Sequence, residues 1–341
     1  MSIEYNKNEI VITSRIRLAR NIKNYKFPNR MTREEAENVI QNTYDVIKDN
    51  KLNYNLSYMR DLTELEQNLL IEKHLISPAM AENKEDGAFL LSPDNKVSIL
   101  INEEDHLRIQ TIGTGLCLDE CWEISNHLDD ILEEKLHYAF DKELGYITAC
   151  PTNIGTGMRA SVMLHLPALS ITNQIEKLLY GVSQFGVAVR GVYGEGTKSM
   201  GYLYQISNQG TLGPSEETLI EKMTQIVMQM VDKEIRIREQ LLKNNFDDLE
   251  DEIFRAYGLL TNARSITTDE AMKLISYVKL GKEIGIIEYD DKKDLYELMI
   301  KIQPNNLLQI AGNEITVKER DKLRAKIIRD IMKNDDIKQN N

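Results

Sequence analysis

Apolar residues recur along this chain with two different periods, and the change from one to the other divides it. In the first part, Ala88–Leu91 and Val97–Ile101 are short apolar runs on either side of Pro93-Asp94-Asn95-Lys96, which predicts a hairpin. A strand over 160–166 and paired strands over 187–192 and 202–207 follow, with Gly194, Gly196 and Gly201 in the connection. Helices are predicted between them. Thr32 with Glu35 reads as a capping box opening a helix to about residue 47, and Thr63 with Glu66 opens another toward His74. Further helices are expected over 119–136 and 170–180. Hairpins and separated helices, without strand-helix-strand alternation, predict an α+β fold with an antiparallel sheet.

Beyond Pro214 the period becomes helical. Residues 215–243 read as one long helix with Leu219, Met223, Ile226, Met230 and Ile237 on its apolar stripe, and shorter helices follow, broken near Gly258, Gly281 and Gly312. The Met223, Met228 and Met230 group reads as helix-packing core. The expected division is a catalytic domain over 1–213 and an all-helical domain over 214–341.

Composition narrows the class. The chain has 341 residues, 42% hydrophobic and 28% charged, enough for one large domain or two ordinary ones. It carries no apolar stretch long enough to cross a bilayer and no signal-like N-terminus, so a cytoplasmic protein is expected. Three cysteines argue against a disulfide framework, and Cys117 and Cys121, four apart with His127 beyond, match no usual zinc spacing and read as core. The net charge of -12 disfavours direct nucleic-acid binding and suits a cationic protein partner.

Four segments carry candidate chemistry. They are Ser14-Arg15-Ile16-Arg17-Leu18-Ala19-Arg20, Asn102-Glu103-Glu104-Asp105-His106-Leu107-Arg108, Cys150-Pro151-Thr152-Asn153-Ile154-Gly155-Thr156-Gly157 with Arg159 behind it, and Arg190-Gly191-Val192-Tyr193-Gly194-Glu195. Singly, each is ordinary: a basic strand face, a solvated acidic turn, a buried cysteine before a glycine turn, a flexible loop. In this order over residues 14–195 they resemble the phosphagen (guanidino) kinases: a first phosphate-binding run, an acid-plus-arginine segment, the cysteine signature, and a mobile loop ending in a second acid.

The residue types suit that chemistry. Transfer of a γ-phosphoryl group spreads charge over equatorial oxygens, so catalysis is mainly positioning and electrostatic stabilisation. Arginine binds phosphate oxygens with a planar fork and stays charged at any working pH. Arg15, Arg17, Arg108, Arg159 and Arg190 come from four separate segments, as a cage around one polyanion requires. The acceptor guanidinium must lose a proton as it attacks, and carboxylates can clamp it and take that proton.

By resemblance, Glu104 is the base, Glu195 its partner, and Cys150 a thiolate that polarises the guanidine. The resemblance also implies ATP contacts along Ser14, Arg15, Ile16, Arg17 and Leu18, at His74 and Arg108, along Arg159, Ala160, Ser161, Val162 and Met163, and along Arg190 to Glu195. It implies the antiparallel sheet shared with glutamine synthetase, and Mg2+ held by the phosphates and water rather than by a protein cage.

The small-molecule kinases of this family carry a helical domain ahead of the catalytic one, whereas here the first arginine motif begins at residue 14. With a helical C-terminal part, this looks like the bacterial protein arginine kinases. Arg320-Asp321-Lys322-Leu323-Arg324-Ala325 resembles their phosphoarginine-binding motif: Thr316 and Glu319 predict a capping box, Arg320 and Arg324 fall four apart on one face to grip a phosphoryl group, and Asp321 would bind guanidine nitrogens. The implied setting is a stress response, with a homodimer that marks unfolded proteins for a Clp protease, inactivates a heat-shock repressor and partners a zinc-binding activator. Alternative readings are a small-molecule guanidino kinase and a phosphoarginine-binding adaptor without catalysis.

Overall fold

The computed structural model describes residues 7–192, 199–288 and 294–332. Its strands are β1 (Val11–Arg20), β2 (Asn55–Tyr58), β3 (Ala88–Leu91), β4 (Val97–Ile101), β5 (Leu107–Thr114), β6 (Phe140–Asp141), β7 (Gly145–Tyr146), β8 (Met158–His165), β9 (Val187–Gly191) and β10 (Leu203–Asn208). Eight of them form one antiparallel sheet in the order β2-β3-β4-β5-β1-β8-β10-β9, and β6 pairs with β7 in a small hairpin.

The helices are α1 (Lys7–Ile10), α2 (Arg33–Asp49), α3 (Glu64–Glu72), α4 (Pro78–Glu82), α5 (Leu118–Leu136), α6 (Pro167–Ile171), α7 (Ile175–Ser183), α8 (Glu216–Asn244), α9 (Phe246–Asn262), α10 (Thr268–Glu283), α11 (Leu295–Lys301), α12 (Pro304–Ala311) and α13 (Val317–Met332). The capping boxes at Thr32 and Thr63 are both formed, and the Thr316–Glu319 pair exchanges the same two bonds.

Strand alternation sorts side chains between two faces. On β1, Ile16 and Leu18 are fully buried against α5, while Arg15 and Arg17 point to the opposite face. Ile99, Ile109, Ala160, Val162 and Ile206 continue the apolar face across neighbouring strands. α5 and α8 cover it, with α2 packed on α5. The stripe of α8 from Leu219 to Ile237 therefore packs with the sheet. A second core, built from α9, α10, α11 and α13, meets the sheet through Ile12, Met163 and Leu203.

Three expectations are corrected. The helix expected over 170–180 is two helices, because Thr172 Oγ1 bonds back to the Ala168 carbonyl at 2.8 Å and Asn173 takes a φ of 56°. Gly258 and Gly281 lie inside α9 and α10 and break neither. Gly281 serves packing instead, since a Cβ there would stand 2.5 Å from Ile253 Cγ2 of the adjoining helix. Gly312 does end α12, in the left-handed region.

A buried polar cluster stitches the two cores. Arg238 of α8 donates to Glu234 at 2.9 Å and to Glu283 of α10 at 2.7 Å, and Glu234 accepts from the Ala168 and Leu169 amides that open α6. His165 of β8 sits against Ser276 Oγ at 2.5 Å, with Lys279 pairing to Glu283 beside it. Burial holds the His165 imidazolium down to a pKa of about 4, against the opposing pull of Glu283. Its folded pKa lies below its unfolded value, so the unfolded state takes up a proton first as pH falls, and stability is lost from about pH 6.5 downward. His165→Gln is expected to lose about 2 kcal/mol less stability than the parent between pH 7 and pH 5, measured by denaturant titration. Equal losses in both proteins would contradict this assignment.

Candidate active site

All five arginines line one cleft of about 460 Å3 on the sheet face opposite α5. Arg15 and Arg17 come from β1, Arg108 from β5, Arg159 from β8 and Arg190 from β9. The register explains the convergence: Arg17 lies opposite Arg159, Ala19 opposite Arg108, and Gln205 opposite Arg190. Residues of like parity on adjacent antiparallel strands share a face, so arginines far apart in sequence become neighbours.

Few anions balance these cations. Arg15 donates to Gln205 Oε1 at 2.9 Å and to Ser161 Oγ at 3.3 Å, and Arg159 donates to Ser207 Oγ at 3.3 Å, all neutral acceptors. Arg17 Nε is buried without a hydrogen-bond partner. Burial first, and then mutual repulsion, lowers the pKa of Arg15 to about 10 and shifts Arg17 and Arg159 in the same direction. Guanidinium does not deprotonate in proteins, so this shift measures an electrostatic demand for an anion. His74, at the cleft wall, is pushed down to about 4 by burial and then by Arg15 and Arg17, which keeps it neutral at pH 7.

A smaller pocket of about 130 Å3 continues from the cleft and shares Arg15, His74 and Gln205 with it. Thr13, Ile112, Ser161 and Met163 form its sheet side, and Tyr296 and Ile300 of α11 close it from the helical part. The arginines crowd the cleft, and the smaller pocket sets aromatic and aliphatic groups beside Arg15 and Lys73.

The acids occupy the turn between β4 and β5. Glu103 is buried between Ser77 and Arg108, and burial outweighs those partners to raise its pKa. Glu104 is exposed, its carboxylate 3.4 Å from Arg108 Nη2. Asp105 turns inward and accepts from Asn21 Nδ2 and from the Ala149 amide, both at 2.6 Å. One carboxylate therefore ties the Glu104 turn to the segment bearing Cys150. His106 accepts from the Ile22 amide at 2.9 Å, so its other nitrogen carries the proton toward the Lys26 carbonyl.

Cys150 Sγ lies 3.0 Å from Thr152 Oγ1, close enough to Arg159 to act on it electrostatically. The following turn depends on glycine: Gly155 has a φ of 113°, and a Cβ there would collide with the Thr211 carbonyl at 2.2 Å. Arg20, the third arginine of the first run, takes no part in the cleft. It is fully buried, paired with Asp129 at 2.6 Å, stacked 3.5 Å over Tyr146 and bonded to the Thr156 carbonyl. It braces the Cys150 turn from beneath.

Side chains of Ser14, Ile16, Leu18, Ala160 and Val162, expected among the nucleotide contacts, point into the core. The strand period of two turns alternate residues of both runs away from the cleft. Ser161 and Met163 do line the smaller pocket, and Gly191 and Val192 line the cleft. Tyr193, Gly194 and Glu195 lie outside the described residues. Gln205, Ser207, Gln110 and Tyr296 were missed. The first two were legible as polar residues alternating with Tyr204 and Ile206.

The C-terminal motif lies on α13. Arg324 is buried, donating to the Ile302 carbonyl at 3.0 Å, to the Ile266 carbonyl at 2.9 Å and to Asp321 at 2.5 Å. Arg320 is half-buried near the start of the helix. The two arginines therefore differ in commitment, one holding the fold and one nearer the surface. Among the described residues no group of three His, Cys, Asp or Glu side chains is placed to hold a metal, and no helix is long and apolar enough to cross a membrane.

A family described as "ATP:guanido phosphotransferase, C-terminal catalytic domain" matches residues 34–237, and one described as "Protein-arginine kinase McsB C-terminal domain" matches residues 246–341. A protein-arginine kinase of Caldanaerobacter subterraneus is 47% identical over 331 residues, covering 96% of this chain and 97% of its own. One from Geobacillus sp. is 46% identical over 337 residues, covering 98% and 93%. A lombricine kinase structure matches with a TM-score of 0.59 and 26% identity, over 72% of this chain and 70% of its own. The duplicated taurocyamine kinase of Schistosoma mansoni, with transition-state analogue components bound, shares the fold at a TM-score of 0.60 and 23% identity, over 70% of this chain and 35% of its own.

The uncompensated cleft makes a measurable claim. Arg17→Met keeps the aliphatic stem and removes one crowded charge. It is expected to raise the thermal midpoint without ligand by about 1.5 °C, corresponding to roughly 1 kcal/mol at this chain length. It should also abolish the stabilisation that tripolyphosphate gives the parent. A lower midpoint with the tripolyphosphate effect retained would show that Arg17 is structural.

Proposed function

We propose that this chain, which belongs to the ATP:guanido phosphotransferase family, is a protein-arginine kinase that transfers the γ-phosphoryl group of ATP to a guanidine nitrogen of arginine in proteins. The observation that carries the proposal is the convergence of five arginines from four strands on one cleft, with Arg17 Nε unpartnered there. Such a cleft is destabilised until a polyanion enters it.

Each group then has a task. The triphosphate lies along Arg15, Arg17, Arg108, Arg159 and Arg190, and the base extends into the smaller pocket beside His74, Ser161 and Met163. The acceptor arginine enters from the Glu104 side. Its nitrogen lone pair attacks the γ-phosphorus, the bond to the β–γ bridging oxygen breaks, ADP leaves, and the proton lost by the guanidinium passes to the Glu104 carboxylate. Glu195 is the second clamp on the guanidine, and Cys150 polarises it. Mg2+ would add charge neutralisation at the phosphates, and would be held by them and by water, since no group of acids among the described residues is placed to hold it.

Arg320 and Asp321 supply a second site for phosphorylated arginine, with Arg324 holding the loop at Ile302 beneath it. The wider setting rests on the resemblance alone: a cytoplasmic homodimer that marks proteins for a Clp protease, acts on a heat-shock repressor and responds to a zinc-binding activator.

Acid-labile phosphate transfer from ATP-Mg to an unfolded arginine-rich protein is expected, with free arginine a far poorer acceptor. Glu104→Gln should lower kcat by about 10²- to 10⁴-fold while ATP affinity is kept. Transfer to free arginine alone would instead indicate a metabolic guanidino kinase, and phosphoarginine binding without any transfer an adaptor. At the second site, Arg320→Ala should weaken phosphoarginine binding at an unchanged thermal midpoint, whereas Arg324→Ala should lower the midpoint as well. Unaltered phosphoarginine affinity in Arg320→Ala would remove that site from the account.

A further inference from the structure

One carboxylate joins the sheet and the helical part at the rim of the cleft. Glu72, the last residue of α3, accepts four hydrogen bonds from the first turn of α12. Its Oε1 takes the Asn305 amide at 2.9 Å and Asn305 Nδ2 at 2.7 Å, and its Oε2 takes the Asn306 amide at 3.0 Å and Asn306 Nδ2 at 2.7 Å. Pro304 opens that helix, so these backbone amides are donors that the helix itself leaves unpaired, at its positive end. Glu72 also lines the phosphate cleft, two residues before His74.

The clamp bears on the smaller pocket through chain connectivity. α11 ends at Lys301, and α12 begins at Pro304. Holding the start of α12 therefore fixes the end of α11, where Ile300 lies, and through this short helix Tyr296 near its start; both line the pocket. The Tyr296 phenol is near enough to act electrostatically on Arg15. An acid at the rim of an anion site opposes the anion by direct Coulomb interaction, so charge alone gives no reason for its presence there. Four hydrogen bonds across the junction do.

We propose that Glu72 is a positioning residue that clamps the helical domain over the nucleotide pocket, so that Tyr296 and Ile300 form the wall against which the base packs. This rests on the nucleotide reading of the cleft. It divides the ligand in two: the base depends on the clamp, and the phosphates do not.

The test uses the full chain with ATP and with inorganic tripolyphosphate as probes, measured by calorimetry. In Glu72→Gln, and separately in the Asn305→Ala/Asn306→Ala variant, the Kd for ATP should rise about tenfold, as for loss of hydrogen bonds to a charged group. Tripolyphosphate should bind as before, or more tightly in Glu72→Gln. Combining both changes should cost less than the sum of the two, because the asparagine side chains share two of the four bonds that Glu72 accepts while the backbone amides remain in the Ala variant. KM for ATP should rise with kcat held within about twofold. Tyr296→Ala, which leaves the clamp intact, should give the same selective loss of ATP. Unchanged or tighter ATP binding in the clamp variants would overturn the proposal, as would an equal loss of tripolyphosphate. A parent protein that binds tripolyphosphate but not ATP would overturn the nucleotide reading beneath it.

Discussion

Repulsion among half-buried guanidiniums crowded into one cleft is the constraint on which this structure depends. Arg15, Arg17 and Arg159 are desolvated, face one another, and find mainly hydroxyl and amide oxygens as partners. Left to itself such a cluster would open. It is held by an antiparallel sheet whose other face is closed by α5 and α8, so that strand pairing and apolar burial resist the repulsion. The binding energy of an incoming polyanion is then available at once, because the donors are already in place.

Paired charges elsewhere show the contrast. Arg20 is as deeply buried as any residue here, yet Asp129 and the Tyr146 ring satisfy it, and its pKa is shifted upward. Arg238 is likewise matched by Glu234 and Glu283. Arginine thus serves two purposes in one fold. Matched by carboxylates in the core, as at Arg20 and Arg238, it joins elements; facing the cleft, as at Arg15, Arg17 and Arg159, it waits for a ligand; Arg108 lines the cleft while pairing with Glu103. Asp105 and Glu103 extend the same logic to the acids, being spent on Asn21, Ala149, Ser77 and Arg108, which leaves Glu104 as the solvent-facing carboxylate of the turn.

Much of this was legible in the sequence, and the limits have physical reasons. Capping boxes at Thr32 and Thr63, the hairpin of Ala88–Leu91 with Val97–Ile101, and the long helix after Pro214 are local signals, and they place themselves. The five arginines were read from motifs that resemble those of the phosphagen kinases, and strand pairing explains why segments so far apart line one cleft. Spacing within a motif did not say that Ser14, Ile16 and Leu18 turn inward; the strand period does, once the strand is known. Glu72, Gln205 and Tyr296 belong to no motif. Their roles arise from pairing across long separations, as between Glu72 and the asparagines of α12, and no local pattern announces them. The break at Thr172 and Asn173 escaped for the opposite reason, since a single back-bonded hydroxyl decides it.

The measurement that bears most directly on the central claim is a crystal structure of the full chain with a non-hydrolysable ATP analogue, Mg2+ and an arginine-containing peptide. The account predicts triphosphate oxygens bonded to Arg15, Arg17, Arg108, Arg159 and Arg190, Arg17 Nε among the donors, and the peptide guanidine against Glu104. Phosphates bound elsewhere, with the five arginines left facing one another as they do now, would contradict it.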